Sequence, residues 1–252
     1  MVKNSTFFCK SNSLNVYELA SKKSNISTQI LYGEKFSVIG RKKDFLKIKT
    51  DFDNYVGFIK KEKFNKFLDK THKVNVLKSK IYYKPKNNNK YLTKKYLPFS
   101  SEIQMLKKDN NFVMFEKNKW IKFNELEIIN KKDYNFSKIF KYFLKIKYKW
   151  GGKTFDGIDC SALLQIFYKY NNKFFPRDTK DQVKIKKGVN NKKLFKKGDI
   201  IFWKGHVAIC LNKRELIHAY GPKKKVLIMP IIKTIKLIEK TAKLKVIKII
   251  SI

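Results

Sequence analysis

A cysteine becomes a nucleophile when something helps it shed its proton, and one of the three cysteines in this 252-residue chain is placed for that. Cys160 lies in Gly157-Ile158-Asp159-Cys160-Ser161-Ala162-Leu163-Leu164. The glycine turn hands straight into an apolar run at helical spacing, so Cys160 falls in the first turn of a helix. Unpaired amides and the positive end of the helix dipole favour a thiolate there. Cys210, between Val207-Ala208-Ile209 and Leu211, reads as a buried core thiol, and Cys9 as an ordinary thiol near the N-terminus. A thiolate also needs an imidazole within reach, and that imidazole needs an orienting group. Two of the three histidines lie downstream at strand edges: His206 opens His206-Val207-Ala208-Ile209, and His218 sits in Leu216-Ile217-His218-Ala219-Tyr220. Adjacent antiparallel strands turning near Asn212-Lys213 would bring them together, His206 as base and His218 as its orienter. Two histidines held only by structural hydrogen bonds are the plainer alternative. His72, in Lys70-Thr71-His72-Lys73, is expected to be an exposed linker residue.

Other chemistry-bearing patterns fail. Gly151-Gly152-Lys153-Thr154 has the ending of a phosphate-binding loop, but the leading glycine would have to stand at position 147, which is Lys147. There is no HExxH and no acidic calcium loop, and the cysteines share no metal-ligand spacing, so neither a metal nor a cofactor is expected.

The elements that must position these residues fall into two textures. Up to about residue 130 the chain reads as short strands separated by Gly, Asn and Asp: Gln29 to Tyr32, Phe36 to Ile39, Phe45 to Lys49 with period two, and Tyr55 to Ile59. A second set, Ile81 to Tyr83, Glu102 to Leu106, Asn111 to Phe115 and Lys119 to Ile121, repeats the plan. Its Asp109-Asn110-Asn111 turn stands where Lys43-Asp44 stood before. Two small β-barrels are expected, over 1–70 and 71–130. Beyond Lys132, Phe136, Ile139, Phe140, Phe143, Leu144 and Lys147 keep helical spacing up to the stop at Trp150-Gly151-Gly152. Ser161 to Tyr170 reads as a second helix. Strands follow at Asp199 to Trp203, His206 to Leu211, Glu215 to Ala219, Val226 to Met229 and Val246 to Ile250. Helices first and an antiparallel sheet after is an α+β order, expected over 131–252.

Within this layout the first barrel resembles the bacterial SH3-like domain, through Gln29-Ile30-Leu31-Tyr32-Gly33-Glu34 and Asp53-Asn54-Tyr55-Val56-Gly57-Phe58-Ile59. The second resembles a more divergent copy, through Leu97-Pro98-Phe99 and Lys119-Trp120-Ile121. Residues 133–252 resemble the NlpC family of papain-like cysteine peptidases, which cut bacterial cell-wall peptides. The match is carried by Tyr148-Lys149-Trp150-Gly151-Gly152, Asp156 to Ser161, Phe175-Pro176-Arg177-Asp178-Thr179 with Gln182, Lys197 to Phe202, His206 to Ile209 and Leu216 to Ala219. With two barrels in front, the chain is similar to the γ-D-glutamyl-L-diamino acid endopeptidases of that family, which act on short murein peptides with a free N-terminal L-Ala. The resemblance implies Cys160 as nucleophile, His206 as general base, His218 as the orienting third residue, and Tyr148 near the oxyanion beside the Cys160 amide. It implies Asp159, Ser161 and Asp178 on the substrate-amine side, Trp150 as a wall, and Tyr55 closing the pocket. Relatives often carry a carboxylate ahead of the Gln29 strand; here Ser24-Asn25-Ile26-Ser27 has none, which leaves Asp178 with less help.

Composition bounds the rest. A formal net charge of +39 invites a polyanion partner, but it is spread through both halves of the chain, and only Arg41, Arg177 and Arg214 carry guanidinium groups. Solvated lysine faces are the simpler reading, and no specific nucleic-acid partner is expected. The longest apolar run, Val226 to Ile232, is far short of the roughly 20 residues that span a bilayer, and the N-terminus lacks an apolar signal core. The expectation is a cytoplasmic peptidase, with no membrane partner, that recycles wall peptides. A catalytically weak wall-peptide binding module and a basic nucleic-acid binder are the alternatives.

Overall fold

The computed structural model describes residues 5–251. They divide into two compact units: the first runs to Asp133 and takes in Lys169–Asn172, and the second holds Tyr134–Tyr168 and the chain from Lys173 onward.

In the first unit, β1 (Ser5–Phe8), β2 (Ser13–Tyr17), β3 (Ile26–Leu31), β4 (Lys35–Lys42), β5 (Phe45–Thr50) and β6 (Val56–Lys60) make one sheet in the order β1-β4-β5-β6-β2-β3. Period-two alternation does its usual work in β5: Leu46 and Ile48 are buried while Lys47 and Lys49 are exposed. The core holds Val16, Ile30, Phe36, Val38, Ile48 and Ile59, with Cys9 fully buried among them rather than lying as a loose terminal thiol. The chain continues through β7 (His72–Val74), β8 (Lys78–Tyr82), β9 (Leu92–Pro98), β10 (Glu102–Ile103), β11 (Lys107–Asp109), β12 (Phe112–Glu116), β13 (Lys119–Lys122) and β14 (Leu126–Ile128). These form a five-stranded sheet, β11-β12-β13-β8-β9, and a three-stranded one, β10-β7-β14, around Val74, Ile81, Leu97, Ile103, Val113 and Ile121. The two turns matched in the sequence do share a device: Lys43 and Asn110 each open a two-residue hairpin loop in the left-handed region, at φ +50° and +49°. His72 departs from expectation. It is no linker residue but the first residue of β7, buried and paired across to Ile103 and Ile128, with its Nδ1 2.9 Å from the Thr71 hydroxyl.

The second unit opens with α1 (Phe136–Tyr142), N-capped by the Asn135 side chain, which accepts from the Lys138 amide. This helix is shorter than the periodicity implied. Lys145 sits at φ +68°, and its amide bonds the Val226 carbonyl, so the chain leaves the helix to run beside the sheet. Then come β15 (Lys153–Thr154), β16 (Gly157–Ile158), α2 (Cys160–Tyr170) and α3 (Thr179–Gln182). The sheet comprises β17 (Asp199–Trp203), β18 (His206–Cys210), β19 (Glu215–Tyr220), β20 (Lys225–Pro230) and β21 (Lys248–Ser251), in the antiparallel order β20-β19-β18-β17-β21. Between β20 and β21 lies α4 (Ile231–Ala242), which buries Ile231, Thr234 and Ile238 against the sheet face carrying Ile201, Trp203, Ala208 and Leu216. Helices followed by an antiparallel sheet is the expected α+β order. No described helix is long and apolar enough to cross a membrane.

Candidate active site

The site is assembled by a tight approach of backbone to backbone ahead of α2. A methyl on Gly152 would sit 2.4 Å from the Gly157 carbonyl oxygen, so only glycine lets these two segments meet. Gly151, at φ +69°, turns the chain so that its amide donates to Asp159 Oδ2 at 2.9 Å. Asp159 then caps α2: its Oδ1 accepts from the Ala162 amide at 2.8 Å, and its carbonyl accepts from the Leu163 amide at 3.0 Å. Arg177 grips the same carboxylate with both nitrogens, Nη1 to Oδ1 at 3.0 Å and Nη2 to Oδ2 at 2.6 Å. The Ser161 hydroxyl donates to Asp159 Oδ1 at 3.1 Å and accepts from Arg177 Nη1 at 2.9 Å. Both charged side chains are buried, which such a pair tolerates only with its hydrogen bonds complete. Gln182 adds a staple, its Nε2 donating to the Ser161 and Pro176 carbonyls, both at 2.9 Å.

Cys160 is therefore the first residue of a helix fixed from three sides. Its Sγ lies 3.9 Å from the Gly205 carbonyl oxygen and is bonded by the Val207 amide and the Thr179 hydroxyl. The helix-terminus argument favoured a thiolate, and the structure opposes it. Burial pushes the thiol up to about 12, with the Asp159 carboxylate adding to the rise, against smaller help from Val207, Thr179 and Arg177. The resting sulfur is a thiol.

His206 follows the two-residue turn Lys204-Gly205 that joins β17 to β18, with Trp203 paired to His206 and Gly205 at φ +74°. Pairing of Ile209 with Ile217 and of Cys210 with Leu216 sets the β18–β19 register, and Leu216 pairs with Met229 on β20. Side chains two apart share a sheet face, so His206, His218, Tyr220 and Met229 stand on one face. His206 Nε2 lies 2.9 Å from His218 Nδ1, and His218 Nε2 lies 3.4 Å from the Met229 sulfur. The Tyr220 ring stacks on His218 at 4.8 Å and 9°. Burial lowers His206 to about 4, and burial with the neighbouring His206 holds His218 well below the usual imidazole range. Both rings are neutral at physiological pH.

Tyr148 runs beside Lys224, to whose carbonyl its amide donates at 2.9 Å, and its ring passes over Gly221, where a methyl would meet it at 3.6 Å. Its phenol is raised by burial first, then by Cys160 and Asp159, so it stays protonated. Trp150 is largely exposed. Asp178 is the N-cap residue of α3 through its backbone carbonyl, with no side-chain cap bond, and its carboxyl is raised mainly by burial, against the pull of Arg177 and of Lys180, whose Nζ lies at 4.0 Å. Tyr55 belongs to the first unit, where its amide donates to the Thr50 hydroxyl at 2.8 Å. The bidentate role of Arg177 and the contacts of Thr179 and Met229 were not read from the sequence. Arg177 carried a signal: an arginine kept in a chain that otherwise uses lysine marks a planar, two-pronged contact.

A profile of the NlpC/P60 family matches residues 145–239, and one of the bacterial dipeptidyl-peptidase SH3 domain matches residues 16–64. Two proteins named gamma-D-glutamyl-L-lysine dipeptidyl-peptidase are similar over most of the chain. The one from Bacillus subtilis (strain 168) is 25% identical over 83% of this chain and 77% of its own length. The one from Bacillus cereus (strain ATCC 10987 / NRS 248) is 27% identical over 82% and 71%. A crystal structure of an NlpC/P60 family protein from Bacillus cereus ATCC 10987 superposes with a TM-score of 0.76 at 20% identity, covering 90% of this chain and 94% of that one, and shows the shared fold. The helix that Cys160 opens and the strands that carry His206 and His218 lie inside the matched region, and the chain carries an NlpC/P60 cysteine peptidase domain with a bacterial SH3 domain ahead of it.

Proposed function

We propose that this peptidase hydrolyses the γ-D-glutamyl bond to a diamino acid in murein peptides with a free N-terminal L-alanine. In this reading Cys160 is the nucleophile, His206 the base and His218 its orienter. The observation that carries it is the 2.9 Å contact between His206 Nε2 and His218 Nδ1, with the Gly205 carbonyl of the β17–β18 turn, one residue ahead of His206, beside the Cys160 sulfur. With Nε2 engaged, Nδ1 is the ring nitrogen left to take a proton. The substrate class follows the names of the two long relatives.

The chemistry starts from a neutral pair. As sulfur attacks the D-Glu side-chain carbonyl carbon, its proton passes to His206 Nδ1 and the carbonyl electron pair moves onto oxygen. The Cys160 amide, ahead of the amides already taken by Asp159, and the Tyr148 hydroxyl are the donors for that oxyanion. Collapse expels the diamino acid's α-amine, which takes the proton from His206. Water then gives a proton to His206, attacks the thioester and restores the thiol. Asp178 is the carboxylate that this reading places on the substrate-ammonium side. Asp159, filled by Arg177, Ser161 and two amides, acts with Ser161 as the frame that holds the nucleophile, and Trp150 is the exposed wall. The first unit reads as two SH3-like barrels dividing near residue 70. Free, buried Cys9, Cys160 and Cys210 fit a reducing compartment and a recycling role in the cytoplasm, which cell fractionation tests.

Turnover of L-Ala-γ-D-Glu-L-Lys, with the amine free or acetylated, tests the reading. Acetylation should lower kcat/KM roughly tenfold to a few hundredfold, because it removes the charge-assisted hydrogen bonds that the ammonium makes to a carboxylate. Asp178→Asn should narrow that gap, and Cys160→Ala should abolish turnover. Activity above a few per cent in Cys160→Ala would sink the proposal.

A further inference from the structure

A neutral histidine has one N–H and one lone pair, and a base works only if the lone pair faces the proton it must take. An orienting carboxylate or carbonyl usually settles which nitrogen carries the hydrogen. Here the orienter is a second neutral histidine, which can donate or accept at Nδ1 and so settles nothing by itself. No described carboxylate or backbone carbonyl bonds either ring; the groups in hydrogen-bond or ring contact with them are each other, Trp203, Tyr220 and, at 3.4 Å from His218 Nε2, the Met229 sulfur. A thioether accepts and cannot donate.

We propose that Met229 is a positioning residue that sets the tautomer of the whole relay. Its sulfur accepts only from a protonated His218 Nε2. That leaves His218 Nδ1 as an acceptor, which requires the hydrogen on His206 Nε2 across the 2.9 Å contact. His206 Nδ1 is then the lone pair, ready for the Cys160 proton. Register supports the arrangement: Met229 pairs with Leu216 and His218 with Leu227, so Met229 and His218 are diagonal neighbours on one face, within reach of a long side chain. The inference rests on the roles given above to Cys160, His206 and His218.

The experiment is ¹⁵N NMR of the histidine-labelled full chain, with L-Ala-γ-D-Glu-L-Lys turnover, for wild type and Met229→Leu. Leucine keeps the apolar bulk and removes the acceptor. Wild type should show both rings protonated on Nε2. In Met229→Leu, His218 should populate both tautomers, and kcat should fall about threefold to tenfold, the size of one neutral hydrogen bond, with KM unchanged. A wild-type His218 protonated on Nδ1 overturns the proposal even if the variant does not fold. An unchanged tautomer with lost kcat makes Met229 a packing residue and overturns it too, as does a changed tautomer with full kcat. Turnover by Cys160→Ala would instead break the underlying reading, and the two failures are separately visible.

Discussion

At the scale of single residues, the helix terminus and the burial of Cys160 pull in opposite directions, and burial wins. A dipole effect of about 0.3–1 kcal/mol cannot offset the desolvation of a thiolate that is almost wholly out of water. The consequence is a pH profile. With the thiol at about 12 and His206 at about 4, the neutral pair persists across the physiological range. Below about pH 4 the imidazole is protonated and cannot accept; towards pH 12 the thiolate forms by itself. Alkylation of Cys160 by iodoacetamide should therefore keep rising with pH from 6 to 10. A plateau below pH 8 would mean a preformed thiolate–imidazolium pair and would refute the neutral resting state. The places of Cys160 at a helix start and of His206 and His218 on neighbouring strands were legible from the sequence, because a glycine turn into a helix and two strand-edge histidines are local patterns. Protonation was not, since it depends on what covers the sulfur, and no local pattern carries that. Met229 escaped notice for a similar reason: its contact with His218 depends on a pairing register between two strands.

At the scale of elements, the strands β17 to β20 were readable because alternating runs bounded by turn residues fix both type and position. The helices were read less well. The spacing from Phe136 to Lys147 is helical throughout, yet α1 stops at Tyr142, because Lys145 and Tyr148 bond to the carbonyls of Val226 and Lys224. That is a tertiary override of local pattern. α4 was missed although Ile231, Ile235 and Ile238 keep helical spacing; the apolar run that starts at Val226 crosses from β20 into the helix and hides the change of period. Glycines before Cys160 show why the local motif is rigid. Gly152→Ala would drive a methyl into the Gly157 carbonyl at 2.4 Å, backbone against backbone, and should cost about 1–3 kcal/mol and most of the activity. Gly205→Ala meets nothing within 4 Å and pays only for its φ of +74°, about 1–2 kcal/mol. Denaturant melts with turnover assays separate the two: activity lost at Gly205 but kept at Gly152 would show that the hairpin ahead of α2 does not hold the site.

At the scale of the whole molecule, the sequence announced its charge most loudly, and the charge says least about the reaction. Of the three arginines, Arg177 is spent internally on Asp159. Several lysine ion pairs among the described residues, such as Lys35–Asp51 and Lys184–Asp181, are exposed and worth little. A chain at +39 therefore repels itself, and that repulsion acts across distances that salt screens, the Debye length being about 30 Å at 0.01 M and about 8 Å at 0.15 M. Raising the salt from about 0.01 M to 0.15 M should raise the Tm by a few degrees while, under the proposed function, turnover of the small tripeptide changes little, since that reading places its recognition in short-range contacts to Asp178 and the oxyanion donors. A nucleic-acid binder would behave otherwise. Short duplex DNA would raise the Tm beyond the effect of matched ionic strength at 0.15 M, and its affinity would fall steeply with salt as counterions return to the phosphates. A Tm that falls with salt would refute self-repulsion. Duplex binding that survives 0.15 M salt would show that the lysine surface is a site after all, because diffuse, arginine-poor charge gives attraction at low salt but no bidentate grip to hold a phosphate once screening sets in.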